Sequence, residues 1–334
     1  MEIRPLGRTG VQVSSLCLGC MMFGRRTEPE ESYAIIDRAR DAGINFLDTA
    51  NVYALGRSEE ITGEALKRNG QRHNVVLATK VHGQMDAEDP NARGNSRRHI
   101  IEQCEASLRR LQTDYIDLYQ LHRPQPDIPI DETLRALDDL IRDGKVRYIG
   151  TSNFGGWELV ESLWVAKELG LNRVVCEQPA YNLLDRRVES ELLPAARTFG
   201  IAVIPWGPLG GGLLSGRYQR GEPLPEDGRY ALNPRQQQRV TDGVFDVIEG
   251  LTPLAEEKGC TLSQLALAWC EQQPGVTSPI IGPRTMEQLE DNLGAADVVI
   301  TDEDRERIDA INPPGWTVTP YYELLRRPHE YLIL

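Results

Sequence analysis

The stretch FLDTANVYALGRSEE, residues 46–60, starts as an apolar strand and stops at a carboxylate, Asp48. It delivers a phenol, Tyr53, five residues later, and turns acidic and helical from Ser58. This is one strand–loop–helix unit, and the same unit recurs along the chain. Short apolar runs that read as strands lie at 16–19, 45–49, 75–80, 116–122, 146–150, 174–178, 201–206 and 278–282. Between them lie amphipathic helix patterns such as EESYAIIDRARDAG and VESELLPAARTFG, closed by the Gly that ends many helices. Strands alternating with helices predict a parallel sheet with right-handed crossovers, and eight of them predict a closed (β/α)8 TIM barrel. An open doubly wound sheet would carry G-x-G-x-x-G after its first strand, where this chain has LGCMMFG.

Ahead of the barrel, EIRPL and VQVSS flank the turn GRTG and predict a β-hairpin. Residues 207–243, rich in Gly, Pro and charge, predict a long loop after the seventh strand, and loops of that length are usually functional. The aromatic tail after Asn312 is expected to fold across the barrel mouth. No repeat or interdomain linker interrupts the chain, so residues 1–334 read as a single domain.

The net charge of −13 and pI near 5.0 argue against nucleic acid or an anionic membrane as the main partner. No apolar run approaches the ~20 residues that span a bilayer, and MEIRPLGRTG lacks the pattern of a secretory signal. With six scattered cysteines, this predicts a reduced, cytoplasmic setting. Cys17 and Cys20 have redox or zinc spacing, but no downstream Cys or His cluster answers them. They read as buried thiols, and no metal is expected.

In a TIM barrel the C-terminal strand ends build the active site. Those ends carry Asp48 on the second strand, Lys80 on the third and His122 on the fourth, with Tyr53 in the loop after Asp48. Singly, each has a plain structural use as a cap, a solvent-reaching chain or a packing ring. Jointly, consecutive strand ends must point into one mouth. A phenol with an ordinary pKa near ~10 is a poor acid at neutrality, and a neighbouring ammonium lowers that value. Asp48 can hold Lys80 beside Tyr53 while His122 bonds a carbonyl oxygen from the other side. The set is a proton donor and oxyanion site for a C=O group attacked by hydride.

The chain at this point resembles the aldo-keto reductase superfamily. The resemblance covers roughly residues 3–312 and is carried in order by DAGINFLDTANVYALGRSEEITGEAL, ATK, DLYQLHRP, GKVRYIGTSNF, EQPAYNLLDR, PWGPLGGGLLSGRY and IIGPRTMEQLEDNL. It implies the catalytic tetrad Asp48, Tyr53, Lys80 and His122, with Tyr53 as general acid. It further implies a nicotinamide cofactor laid across the barrel mouth, with Ser152, Asn153 and Gln178 on its carboxamide and Trp206 stacked on its ring. Gly19, Met21, Met22 and Asp48 fall near the nicotinamide. Gly207, Pro208, Leu209, Gly211 and Leu213 fall along the pyrophosphate, and Gly282, Arg284, Gln288, Asp291 and Asn292 at the adenosine end. Arg284 has the donor fork for a 2′-phosphate, which favours NADPH over NADH. Gly207 stands where the family commonly has Ser, Cys20 where a small hydroxylated residue is frequent, and Pro283 where a small residue is frequent.

Expected substrate-pocket residues are Met22, Tyr53, His82, His122, Arg123 and Trp206. The resulting expectation is an NADPH-dependent oxidoreductase that reduces an aldehyde or ketone to an alcohol, with a small-molecule carbonyl substrate. The alternative is a cofactor-binding regulatory subunit of the channel-associated type, disfavoured by the short segment before the first hairpin. A Schiff-base enzyme using Lys80 is a third possibility, opposed by the cofactor motifs. The helix faces single out no oligomer.

Overall fold

The computed structural model describes residues 1–321. The hairpin β1 (Ile3–Pro5) and β2 (Gln12–Ser14) precedes β3 (Cys17–Gly19), β4 (Phe46–Asp48), β5 (Val76–Val81) and β6 (Ile116–Leu121). Then follow β7 (Val146–Ser152), β8 (Val174–Gln178), β9 (Ala202–Val203) and β10 (Ile280–Ile281). Strands β3 to β9 pair in parallel in chain order, with β10 on the free edge of β3. Backbone bonds then join the two edges: the Thr277 amide donates to the Val203 carbonyl at 2.8 Å, and the Ile280 amide to that of Pro205 at 2.8 Å. The (β/α)8 barrel read from the sequence is the fold, with its N-terminal hairpin in place.

The last two barrel strands are shorter than their apolar runs suggested. Pro205 and Pro279 interrupt those runs, and a proline brings no N–H to a sheet ladder. The long segment after β9 also holds more structure than a plain loop. It contains a 3₁₀ turn at Gly210–Ser215 and short helices at Arg229–Leu232 and Pro234–Gln237. Of the expected tail, the part up to Tyr321 runs beside the loop after β8: the Val318 amide donates to the Leu184 carbonyl at 2.9 Å. The Tyr321 hydroxyl then reaches the Gly210 carbonyl at 2.5 Å. The rest, 322–334, lies outside the described residues.

The barrel interior is layered. Toward the N-terminal end, Leu6 and Val13 of the hairpin join Cys17, Phe46, Ala78, Leu118, Cys176, Ala202, Ile204 and Ile280 in one apolar cluster. The hairpin is thus a plug for the barrel floor. A larger apolar layer fills the space between the strands and the surrounding helices. Above the floor the inward positions turn polar: Asp48, Lys80, Gln120 and Gln178 are all buried. Register sets Lys80 beside Gln120 and Gln120 beside Gly150. A Cβ at Gly150 would stand 3.2 Å from the Gln120 side chain and 3.0 Å from the Cys176 carbonyl oxygen, so glycine there makes room for the amide. Among the described residues no helix is long and apolar enough to cross a membrane.

Truncating the plug tests this layering. Leu6→Ala is expected to lower unfolding stability by about 2–5 kcal/mol in urea titrations, since Leu6 is fully buried against the barrel floor. A change no larger than that of an exposed Leu would contradict the plug.

Candidate active site

Strand β4 ends at Asp48, which pairs with Ala78 of β5; two residues further on, Lys80 of β5 lies beside Gln120 of β6. Lys80 and Asp48 form a buried ion pair. An ammonium has three donors and no acceptor, and all three have partners here: Asp48 Oδ1, the Thr49 carbonyl at 2.8 Å and the Tyr53 hydroxyl at 3.3 Å. The other carboxylate oxygen of Asp48 accepts from the side-chain amides of Gln120 and Gln178, each at 3.0 Å. Gln178 also donates to Gln120 at 3.1 Å. The pair therefore leaves no polar atom of its own unanswered.

Tyr53 opens a tight turn, Tyr53–Gly56, before the helix Arg57–Arg68. Ala54 and Leu55 are both left-handed, with φ 48° and 52°, a region that costs residues other than glycine about 1–2 kcal/mol each. Leu55 is 71% exposed, so no packing of its own side chain explains that conformation. The geometry serves Tyr53, whose ring stands edge-on to His122 with centroids 5.5 Å apart. Behind the turn, fully buried Glu59 takes Thr79 Oγ1 at 2.5 Å and Arg110 Nε at 2.6 Å, tying the following helix to β5.

Burial works against the Lys80 charge, but Asp48 and the Tyr53 oxygen outweigh it and raise the Lys80 pKa, so the amine stays an ammonium. Burial raises the Tyr53 pKa, and Lys80 pulls it back only in part. This modifies the sequence-based expectation: the pull from Lys80 has the expected sign, but it moderates a raised value and does not produce a lowered one. For His122, burial and then the charges of Lys80 and Arg123 hold the imidazole well below its usual value, which makes it neutral at pH 7.

A second group braces the mouth. Asn153, at φ 62°, donates to the His122 carbonyl at 3.1 Å and to Ser152 Oγ at 3.0 Å, and accepts from Trp206 Nε1 at 2.9 Å. Ser152 Oγ in turn donates to the Gln178 carbonyl at 2.8 Å. Asn153 thus ties the ends of β6, β7 and β9. His82 bonds Asn95 at 3.0 Å, and Asn95 donates to the Arg123 carbonyl at 2.8 Å, so one brace fixes two expected pocket residues. Met22 is buried, and its carbonyl closes the turn after β3 by accepting the Arg25, Arg26 and Thr27 amides. Cys17 and Cys20 are buried free thiols, and burial pushes Cys20 up to about 12.

Closing the barrel sets the loops after β9, β10 and β3 side by side, and arginines gather there. Arg284 and Arg217 both pair with Asp227, the former at 3.0 Å, while Arg26 donates to the Asp227 carbonyl. Arg229 lies close enough to act on both Arg26 and Tyr53. Arg284 is further fixed by Gln288, which accepts its amide at 2.9 Å. The neighbouring backbone is open: a Cβ at Gly207 or Gly282 would meet nothing within 4 Å. Asp291 does not join this group, because its carboxylate accepts from Thr261 Oγ1 at 2.9 Å, on the side of the helix Leu262–Glu271. Asn292 is buried on the same helix as Asp291.

Sequence reading missed Gln120, although the alternation that turns His122 inward also turns Gln120 inward, a polar side chain at a core position. It also missed Arg26, Arg217 and Arg229, which become neighbours only when the ring closes.

Comparison with known proteins shows which family the chain is similar to. The aldo/keto reductase family model matches residues 15–313. A probable voltage-gated potassium channel subunit beta from Oryza sativa subsp. japonica is 40% identical over 93% of this chain and 96% of its own length. A protein of the same description from Arabidopsis thaliana is 40% identical over 90% of this chain and 92% of its own. The uncharacterized oxidoreductase YrpG of Bacillus subtilis (strain 168) is 41% identical over 96% of this chain and 98% of its own.

The left-handed turn gives a direct check. Leu55→Gly is expected to stabilise the protein by about 1 kcal/mol in denaturant titration, because glycine adopts that conformation without a Cβ clash. A loss of stability of that size would show that the Leu55 side chain is held by something else.

Proposed function

The chain belongs to the aldo/keto reductase family, and we propose that it is an NADPH-dependent oxidoreductase that reduces an aldehyde or ketone to an alcohol. The observation that carries this reading is the Lys80–Tyr53 hydrogen bond. Lys80 can only donate, so the Tyr53 oxygen accepts and the phenolic proton is left to point away from Lys80. Neutral His122 stands edge-on to that phenol, with ring centroids 5.5 Å apart. A carbonyl oxygen between them receives one hydrogen bond from each.

When bound, the reduced nicotinamide supplies a hydride, two electrons and one hydrogen, to the carbonyl carbon. Negative charge then builds on the carbonyl oxygen, where Tyr53 releases its proton and completes the hydroxyl. Lys80 stabilises the phenolate left behind, and Asp48 keeps Lys80 in place and its local charge balanced. Tyr53 regains a proton from solvent after the alcohol leaves. In the reverse direction the phenolate takes the alcohol proton.

The residues present fit such a cofactor. Arg26, Arg217 and Arg284 share the single Asp227, and Arg229 adds a further cation near Arg26, an excess of positive charge that suits a phosphate-rich ligand. Open backbone at Gly207 and Gly282 lets such a ligand approach closely. Trp206, held by Asn153, offers an aromatic face for the nicotinamide, and Arg284 is the residue proposed to hold the 2′-phosphate. The relatives described as potassium channel beta subunits favour a second reading, in which this chain binds the same cofactor but serves mainly as a partner protein with little turnover.

Three measurements test the proposal. Tyr53→Phe is expected to lower the rate of carbonyl reduction by about 10²–10⁴-fold, while cofactor affinity, read by fluorescence, stays nearly constant. Full turnover in that variant would remove Tyr53 as the acid. Arg284→Gln is expected to weaken NADPH binding by roughly ten- to a hundredfold and NADH much less. Equal weakening of both would contradict a 2′-phosphate contact. Finally, a panel of aldehydes and ketones followed by NADPH absorbance is expected to contain substrates with sustained turnover. Tight NADPH binding with slow turnover on every member would favour the partner-protein reading.

A further inference from the structure

Behind the Asn153 brace lies a fully buried acid that the reaction above does not use. Glu177 is the penultimate residue of β8, and alternation sends its side chain opposite to that of Gln178. Gln178 reaches into the barrel to Asp48, and Glu177 reaches outward under the loop that follows β7. There Thr151 Oγ1 donates to Glu177 Oε2 at 2.5 Å, and the Phe154 amide donates to Oε1 at 3.1 Å. Thr151 and Phe154 bracket Ser152 and Asn153, so one carboxyl grips both ends of a four-residue turn. Inside that turn Asn153 is left-handed, a conformation that its surroundings must hold in place.

Burying a carboxyl is costly unless its oxygens are bonded, and a bonded carboxyl without a cation favours its neutral form. The groups facing Glu177 are the Thr151 hydroxyl, the backbone amides of Asn153 and Phe154 and the carboxylate of Glu158 on the next helix, while its neighbour Cys176 turns inward to the barrel floor. Glu158 itself caps that helix by accepting the Gly155 amide at 2.7 Å. A hydroxyl can both donate and accept, so Thr151 can answer Glu177 in either protonation state.

We propose that Glu177 is the positioning residue of the nicotinamide-facing wall: by gripping the turn from both ends it sets Asn153, and through Asn153 the His122 backbone and the Trp206 ring. The ligand named here rests on the cofactor reading above, whereas the geometric coupling does not. Burial pushes the Glu177 carboxyl up to about 8, against the downward pull of Thr151 and Phe154. Since this value lies above the 4.5 of an ordinary glutamate, the folded state gains stability below that pH and loses it as pH rises toward about 8.

The test uses the full chain with 15N-labelled indoles, the Trp206 N–H resonance being assigned by its loss in Trp206→Phe. In the unsubstituted protein this resonance is expected to shift with pH around 8, following Glu177, and in Glu177→Gln to stay fixed. Glu177→Leu, which strands the Phe154 amide, is expected to move the resonance at all pH values and to weaken dinucleotide binding by about tenfold, with Glu177→Gln restoring most of it. A Glu177→Leu protein with a lower Tm but an unmoved Trp206 resonance and unchanged binding would overturn the proposal, leaving a purely structural role. If the unsubstituted protein bound no dinucleotide, the cofactor reading would fail, and the indole resonance would still decide the role of Glu177.

Discussion

The buried pair of Lys80 and Asp48 is the contact on which the barrel mouth depends. Two charges removed from water are costly, and the interior repays the cost only when every donor and acceptor is matched. Here the match is complete: three acceptors surround the ammonium, and Lys80, Gln120 and Gln178 divide the two carboxylate oxygens. Strands β4, β5, β6 and β8 and the loop bearing Tyr53 are locked to one another as a result. Replacing either ion would leave an unpaired charge in the core, a penalty of about 3–5 kcal/mol. The same ammonium also donates to the Tyr53 oxygen, so the stabilising role of Lys80 and the chemical role proposed for it are inseparable.

The rest of the architecture supplies that pair with a dry, rigid setting. Leu6 and Val13 seal the floor from below, and Glu59 with Arg110 ties the helix after the Tyr53 turn to the helix Arg97–Leu111 and, through Thr79, to β5. Above, Asn153 joins the His122 backbone to the Trp206 ring. Strand β8 serves both halves of the mouth, Gln178 toward Asp48 and Glu177 toward the Asn153 turn. Ala54, Leu55 and Asn153 are left-handed in this region, whereas left-handed Gln112 only closes the helix Arg97–Leu111.

The sequence was most legible where one periodicity decided the outcome. Alternating apolar runs and amphipathic helices revealed the ring of strands, and the strand-end rule then brought Asp48, Tyr53, Lys80 and His122 together. Gln120 was legible in principle through the same alternation. The gathering of Arg26, Arg217 and Arg229 around Arg284 was not, because these four sit in three loops that meet only after β10 closes against β3 and β9. Strand lengths failed at Pro205 and Pro279, where apolar composition persists but the ladder donor is missing. The sign of the Tyr53 shift was also out of reach, since it depends on how far burial outweighs a single ammonium.

The most direct measurement is the titration of Tyr53 itself, followed through the 13Cζ resonance of labelled tyrosine in the unsubstituted protein and in Lys80→Met. Removing the ammonium should raise the Tyr53 pKa further, because burial would then act without its counterweight. An unchanged or lowered Tyr53 pKa in Lys80→Met would contradict the account, since Lys80 would then have no hold on the proton that Tyr53 is proposed to give.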